Sequence, residues 1–197
     1  MFGGRFRSVR NRVSIRTGAM GTQTDSRPAL RLVQPAVGEP VEFSWFCGHC
    51  AAPAQGDQPP APMARVCRSC GLGVMLETRA DIAPSHRDAF LVIDSSLLVQ
   101  AMSWRAETLL GVTEDSAVNR PVMQLLVPAD AEAGRPARFA AALVEAAAGA
   151  DEPVSAFVRP WNTFGVRLRA RVASCGPPRA ALVVLQDQQA RPLRVVS

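Results

Sequence analysis

Short apolar runs separated by polar turns organise the second half of the sequence. Their alternation predicts five strands, at residues 89–94, 97–102, 154–159, 164–174 and 179–186. The polar turn at residues 94–96 joins the first two strands, so these two form a hairpin. Two strands, a helical stretch and three further strands make up an α+β order.

Helical signals fill the region between the second and third predicted strands. Four helices are predicted: residues 103–110 with Ser103 as the N-cap and Gly111 as the stop, a short one capped by Thr113, one from Pro121 through Leu126, and residues 136–148 before Gly149. In the last of these, Phe139, Leu143 and Ala147 share one apolar face. That face is expected to pack on the sheet.

The order and spacing of these segments carry further information. The informative ones are residues 89–94, 103–111 (SWRAETLLG), 118–121 (VNRP), 125–130 (LLVPAD), the strand pair around 164–165, and the closing 182–187. Through them, residues 82–188 of the chain resemble the PAS domain family. The resemblance implies a five-stranded antiparallel sheet with helices over one face, a pocket between them, and the first and last strands as central neighbours.

Those two central strands are apolar at consecutive positions, over residues 90–93 and 182–185. A strand with one wet face should instead alternate between apolar and polar side chains. We therefore expect the outer face of the sheet to be covered, either by a second subunit or by the N-terminal module. The first option predicts a homodimer through the PAS sheet.

Four of the five cysteines form two pairs in the pattern C-x2-C-x16-C-x2-C: Cys47, Cys50, Cys67 and Cys70. This spacing is typical of a four-cysteine zinc site, in which two tight turns supply four thiolates to one tetrahedral ion. Residues 41–78 are too few to fold around an apolar core alone, so a structural Zn²⁺ would stabilise the module. The second turn has Gly71 after its last cysteine, whereas the first has Ala51, which departs from the zinc-ribbon pattern.

Residues around the four cysteines have secondary roles in this interpretation. Arg65 and Arg68 are expected to offset the negative charge of a centre with four thiolates. Because four cysteines complete the site, His49 is expected to be an exposed residue of the first turn and not a ligand.

A redox dithiol is the rival interpretation of the first pair. Cys47-Gly48-His49-Cys50 is similar to the reactive dithiol of protein disulfide isomerases, with Trp45 nearby. Here Phe46 separates the tryptophan from the first cysteine, no strand and long helix flank the pair, and the second pair would have no role. Zinc is favoured, with iron or a Cys47/Cys50 redox pair as alternatives.

Charge separates the N-terminal segment from the remainder of the chain. The formal net charge is +5, and all of the basic residues are Arg. Residues 1–19 hold five Arg and no acid, which leaves 17 Arg against 17 Asp plus Glu in the remainder (22 − 5 = 17). We expect residues 1–40 to be a disordered basic arm, and any nucleic-acid contact is expected through that arm.

The remaining boundaries follow from composition. Residues 79–87 are expected to be a linker, 88–188 the PAS domain and 189–197 a tail. No apolar run follows the basic start as in a signal peptide, and none is long enough to span a membrane. A cytoplasmic chain with reduced thiols is therefore expected.

The ligand of the implied pocket is constrained by what the sequence lacks. Haem needs an axial ligand, usually a histidine of the long helix, and residues 131–150 contain none. Photoactive flavin members of the PAS family carry a cysteine beside the Asn-Arg segment, where this chain has Pro121. A small apolar metabolite is the remaining candidate, and the expected lining residues, which are otherwise simply core, are Trp104, Met123, Phe139, Leu143 and Trp161.

Arg167, Arg169 and Arg171 alternate with apolar residues, so they share one face of a strand. Such a face is either solvated or a surface for an anion or an acidic partner. No catalytic triad, paired-carboxylate site or phosphate loop is present in the sequence, so we expect no enzyme.

These features favour a regulatory sensor and interaction protein. In this interpretation the PAS domain senses a signal or dimerises, and the zinc module contacts a protein partner. The alternatives are a transcription-linked binder of nucleic acid or RNA polymerase, and a thiol redox protein.

Overall fold

The computed structural model describes residues 41–54, 60–62, 64–129 and 138–187. All of them belong to one compact unit, Glu39–Ser197. The predicted basic arm at 1–40 and the predicted tail at 189–197 lie outside the described residues. Within the described part, no helix is long and apolar enough to cross a membrane.

The chain forms eight strands and three α-helices in the described residues. The strands are β1 (Phe43–Cys47), β2 (Met75–Arg79), β3 (Ala89–Ile93), β4 (Val99–Met102), β5 (Leu126–Pro128), β6 (Val154–Pro160), β7 (Leu168–Gly176) and β8 (Ala180–Asp187). The helices are α1 (Trp104–Leu110), α2 (Glu114–Ala117) and α3 (Arg138–Ala148), with a 3-10 turn at Val122–Gln124.

All strands join one antiparallel sheet with the order β1-β2-β7-β8-β3-β4, and β6 also pairs with β7. The first and last predicted strands, β3 and β8, are neighbours, with Ala89 opposite Leu185 and Ile93 opposite Ala181. The prediction of five strands is therefore wrong in number, since β1, β2 and β5 were not expected. Strands β1 and β2 lie in the cysteine module, and β5 begins at the end of a predicted helix, so no strand was expected at any of the three positions.

Helix α1 confirms both predicted ends. The Ser103 hydroxyl accepts a hydrogen bond from the Ala106 N–H at 3.2 Å, and Gly111 closes the helix with a φ of 66°. The same hydroxyl accepts the Phe90 N–H at 3.0 Å, which ties the helix start to β3.

The other helices differ from prediction in extent. The helix expected from Pro121 through Leu126 is only a 3-10 turn, because Leu126 already belongs to β5. Helix α3 ends at Ala148 as predicted, and Gly149 follows with a φ of 98°. Residues 136 and 137 lie outside the described part of the chain.

Two cores occupy the two faces of the sheet. The helix-covered face buries Leu91, Ile93, Val183 and Leu185 against α1 and α3. The opposite face buries Phe90, Val92, Leu182 and Val184 against Phe46 and Leu76 of the N-terminal module and against Ile82 of the segment that follows it. Consecutive apolar positions in β3 and β8 thus serve two cores. The prediction of a covered outer face is confirmed, and the N-terminal module supplies the cover.

The hairpin of β1 and β2 attaches to β7 just beyond the first residue of β6, Val154. Strand β6 pairs with β7 up to Val172, and beyond it Thr78 and Glu77 of β2 pair with Cys175 and Gly176. The buried Thr78 hydroxyl donates to the Ser174 carbonyl at 2.8 Å. Packing adds an edge-to-face contact of Phe46 with Phe90, whose ring centroids are 6.0 Å apart.

Candidate metal centre

Two tight turns, here called the first and second knuckles, present the four paired cysteines. In the first knuckle the Ala51 N–H donates to the Cys47 carbonyl at 2.9 Å, and in the second the Gly71 N–H donates to the Cys67 carbonyl at 2.9 Å. Ala51 has a φ of 58° and Gly71 a φ of 71°. Ala51 thus adopts the left-handed conformation expected of a glycine, so its departure from the sequence pattern leaves the turn intact.

The four sulfur atoms lie close together. Cys47 Sγ is 3.7 Å from Cys70 Sγ, and Cys50 Sγ is 3.8 Å from Cys67 Sγ. All four sulfurs lie within 4.8 Å of one another. Four thiolates at the usual Zn–S distance of about 2.3 Å form a tetrahedron with edges of roughly 3.8 Å. The observed separations therefore fit a single tetrahedral ion, as the sequence spacing predicted.

Backbone N–H groups point at the sulfur atoms. Cys47 Sγ accepts from His49 at 3.4 Å and from Cys50 at 3.5 Å. Cys67 Sγ accepts from Ser69, and Cys70 Sγ from Gly73, both at 3.4 Å. These N–H donors stabilise the negatively charged thiolate form of each cysteine. Cysteine binds a metal ion in that form, so the donors favour metal binding.

The thiols differ in their acidity. Burial raises the pKa of Cys47 and of Cys50 above the usual thiol value. Burial opposes ionisation of Cys70 as well, but the Gly73 and Leu72 N–H groups and the Cys50 and Cys47 thiols outweigh it and lower its pKa to about 6. A metal ion would bind all four as thiolates and release their protons.

Gly73 allows the two knuckles to approach each other. A Cβ at this position would collide with Cys47 Sγ and would lie 2.8 Å from His49 Cβ. Gly71, by contrast, has open space around its Cα. The sequence motif alone did not single out Gly73, because it lies outside the C-x2-C pattern.

His49 connects the first knuckle to α2 and β4. Its Nδ1 lies 2.8 Å from Glu114 Oε2, and the other oxygen of Glu114 accepts the Met102 N–H at 2.9 Å. A carboxylate can only accept, so the histidine nitrogen donates. The expected exposed residue is thus only about one-third exposed, and it is bonded to α2. No local pattern relates two residues 65 positions apart.

The geometry bears on the redox alternative. Cys47, Cys50, Cys67, Cys70 and Cys175 are all free thiols. Both close sulfur pairs join different knuckles, which makes the second pair part of the same cluster. After Cys50 the chain makes a bridge from Pro53 to Phe46, where a thioredoxin-like site would begin a long helix.

Arg65, one of the two arginines expected to offset the charge of the centre, has other contacts. Its guanidinium carbon lies 6.0 Å from the Trp45 ring centroid, and its Nη1 donates to the Pro177 carbonyl at 3.0 Å. Arg65 therefore links the module to the turn between β7 and β8.

The five residues proposed to line a PAS pocket do not come together. Phe139 and Leu143 are fully buried on α3, and Met123 packs against the same core. Trp104 and Trp161 are 53% and 62% exposed, so they line no interior pocket. Trp104 opens α1 with Arg105 stacked on its ring at 4.6 Å, and Trp161 lies in the turn that follows β6.

The predicted arginine face exists, but its side chains have partners within the chain. Arg169 and Arg171 belong to β7, while Arg167 precedes the strand, which begins at Leu168 and not at residue 164 as predicted. Arg171 Nη1 donates to the Asp81 carbonyl at 2.9 Å, and Arg169 Nη2 donates to Ser155 Oγ at 3.1 Å. Arg167 stacks on the Phe157 ring at 3.9 Å.

Comparison with known proteins gives no family assignment from sequence. No protein-family model and no curated protein matches the chain. The structure is similar to the PAS domain of nitrogen regulation protein NR(II) from Vibrio parahaemolyticus, at 16% identity over 51% of this chain and 88% of that one, with a TM-score of 0.38. It is also similar to the PAS domain of a protein from Colwellia psychrerythraea, at 20% identity over 51% and 85%, with a TM-score of 0.40.

Proposed function

We propose that this chain is a regulatory sensor and interaction protein in which a four-cysteine zinc module is built onto the outer face of a PAS-like sheet. The observation that carries the proposal is the cluster of four sulfurs with edges of 3.7 and 3.8 Å. An arrangement closed by four cysteines leaves no open coordination position, as in structural zinc sites. The metal would therefore hold the module folded and would take no part in catalysis.

The position of the module supports a signalling role. Phe46 and Leu76 of the module pack on β3 and β8, the central strands of the sheet. The His49–Glu114 bond adds a polar link to α2. A change in metal occupancy would therefore alter the contacts of the module with the sheet and with α2. A conformational change in the PAS-like sheet or in α2 would alter the positions of the knuckles through the same contacts.

Partner contact is proposed through the second knuckle. Val66 and Leu72 flank its two cysteines and are 59% and 75% exposed. Large apolar side chains exposed together are typical of protein-interaction surfaces. In this proposal the protein transmits its signal by binding a partner and not by an enzymatic activity. Because the N-terminal module covers the outer face of the sheet, any homodimer would form through other surfaces.

The test is the metal content and visible spectrum of the anaerobically purified chain. We expect one zinc per chain and no haem or flavin absorbance. Cys70→Ser should lose the metal, whereas Cys175→Ala, which removes a cysteine outside the cluster, should keep it. A metal-free chain with an oxidised Cys47–Cys50 pair would overturn the proposal in favour of the redox protein, and an iron spectrum would replace zinc.

A second candidate is the transcription-linked binder. It is favoured by the hairpin of β6 and β7, where residues 154–176 contain four Arg and no Asp or Glu. Trp161 and Phe164 are 62% and 86% exposed between those strands. Salt-sensitive DNA binding that disappears when residues 1–19 are removed would support this candidate.

A further inference from the structure

A cleft of about 680 Å³ lies between the knuckles and the outer face of the sheet. His49 and Val74 line it on the side of the knuckles, and Val92 and Ala101 line it on the side of the sheet. It is separate from the four-sulfur cluster and from the interior between the sheet and its helices. Its volume falls within the range of roughly 300–1,000 Å³ that is typical of small-molecule sites.

Three carboxylates are among the polar groups that line the cleft. Asp94, Glu114 and Asp115 contribute them, and Arg179 is the one arginine in the lining among the described residues. The Arg179 guanidinium is held by the Ala148 carbonyl at 3.3 Å, at the end of α3. The cleft therefore combines apolar walls with an excess of negative charge, which favours a positively charged occupant.

The backbone beside the cleft argues for a compact occupant. Strand β4 ends the sheet, and an exposed edge of this kind can pair with an extended peptide. However, the Val99 N–H already donates to the Arg120 carbonyl at 3.0 Å, and the Met102 N–H donates to Glu114. These contacts occupy the donors that an added strand would use.

We infer that this cleft binds a small organic cation with an apolar body, such as an aryl- or alkylammonium. The ammonium group would lie beside Glu114 and Asp115, and the apolar body would pack against Val74, Val92 and Ala101. Binding there would bridge the first knuckle and α2. The inference goes beyond the proposed function, since neither the metal nor the PAS-like interior supplies this site.

The test is a titration of the zinc-loaded full chain, followed by backbone amide shifts in NMR. The probes are 2-phenylethylammonium and hexylammonium, with 2-phenylethanol as the neutral analogue and phenylacetate as the anion. Both cations should shift the amides of His49, Gln100 and Ala101 saturably, with a dissociation constant of ~1 mM or tighter. The alcohol should bind more weakly, and the anion should leave these amides unchanged.

Matched variants locate the interaction. Asp115→Asn should weaken the cations roughly two- to fivefold, as for an exposed charge pair, and the loss should shrink in high salt. Glu145→Gln, an exposed carboxylate on α3, is its control. Val74→Ser should weaken the cations through lost apolar contact, and Val144→Ser, also an exposed valine but on α3, should not.

Each of three outcomes would overturn the inference: no shift with either cation, an alcohol that binds as well as the ammonium, or cleft variants that behave like their controls. The metal content of the same sample separates this inference from the proposed function. If the zinc-loaded chain binds none of the probes, only the inference of cation binding in the cleft is wrong. If the chain is metal-free, the proposed function is wrong.

Discussion

His49 Nδ1 lies 2.8 Å from Glu114 Oε2, so a residue between two candidate metal-ligating cysteines is hydrogen-bonded to α2. Glu114 also accepts the Met102 N–H of β4 and donates its own N–H to Glu107 Oε1 at 2.6 Å. One residue therefore joins the first knuckle, an edge strand and α2. Both partners are partly buried, at 34% and 21% exposure, so solvent weakens this link only in part.

Glu114→Gln is expected to destabilise the zinc-loaded chain more than His49→Ala. The glutamine replaces a charge-assisted acceptor for the Met102 N–H by a neutral one, whereas the alanine removes only the contact to the knuckle. We expect losses of ~1–2 kcal/mol and ~0.5–1 kcal/mol in the free energy of unfolding, measured by urea denaturation. A double-mutant cycle should show a coupling between the two residues.

Zinc content provides the control for this pair. Because four cysteines complete the site, His49→Ala should retain one zinc per chain. If the variant instead loses the metal, His49 is a ligand, and the assignment of the four thiolates is wrong.

Gly73→Ala is expected to lower metal affinity far more than Gly71→Ala. A methyl group on Gly73 would collide with Cys47 Sγ and with His49, so the knuckles would have to separate. Gly71 has a φ of 71° but open space around it, so its alanine variant costs only about 1 kcal/mol of backbone strain. Competition with a chelator would measure the zinc affinity of both variants. Equal affinities would show that the knuckles can separate without weakening the metal site.

The clustering of the four sulfurs could be predicted from the sequence because its signal is local. Two C-x2-C turns specify four sulfurs, and their spacing decides how they can meet. Cap residues were predictable for the same reason, since Ser103 and Gly111 act within one helical turn. The consecutive apolar residues of β3 and β8 correctly indicated a covered face, and the structure shows that Phe46 and Leu76 cover it.

The contacts that the sequence did not reveal are long-range or lie in very short elements. Glu114 and His49 are 65 positions apart, and nothing in either local pattern relates them. Strands β1 and β2, of five residues each, lie directly before the first knuckle and after the second, where no alternating pattern was recognised. Trp104 and Trp161 were among the expected pocket residues, but both lie at element ends and are mostly exposed.

Phe46→Ala is expected to detach the module from the sheet, whereas Phe43→Ala is not. Phe46 is 1% exposed and packs edge-to-face on Phe90, while Phe43, three residues earlier in the same strand, is 56% exposed. Truncating a buried phenylalanine costs about 3–5 kcal/mol, so Phe46→Ala should lose that amount in denaturant unfolding. Hydrogen exchange of the β1 and β2 amides should rise in this variant alone. Similar exchange in both variants would mean that packing of Phe46 on the outer face of the sheet does not stabilise the β1–β2 hairpin.

Cys175 is expected to resist alkylation in the native chain. Burial raises its pKa to about 12, and it is 4% exposed, so only ~0.01% would be thiolate at pH 8. Iodoacetamide labelling of the zinc-loaded chain, read by mass spectrometry, should leave Cys175 unmodified until the chain is denatured. Labelling at the rate of an exposed thiol would show that the core on the outer face of the sheet opens locally around Cys175.

Metal removal is expected to uncover the outer face of the sheet. We expect the module to need a metal on its four thiolates for folding, because Phe46 and Leu76 supply only a small core of their own. Without the metal, Phe90, Val92, Leu182 and Val184 would be exposed as one apolar patch on the two central strands.

Chelation should therefore raise binding of a hydrophobic dye and promote self-association, both reversed by Zn²⁺. Sedimentation velocity with and without chelator is the measurement, with Cys175→Ala as a control that should respond like the natural chain. A chelated chain that stays unassociated and dye-free would show that the module remains packed without its metal.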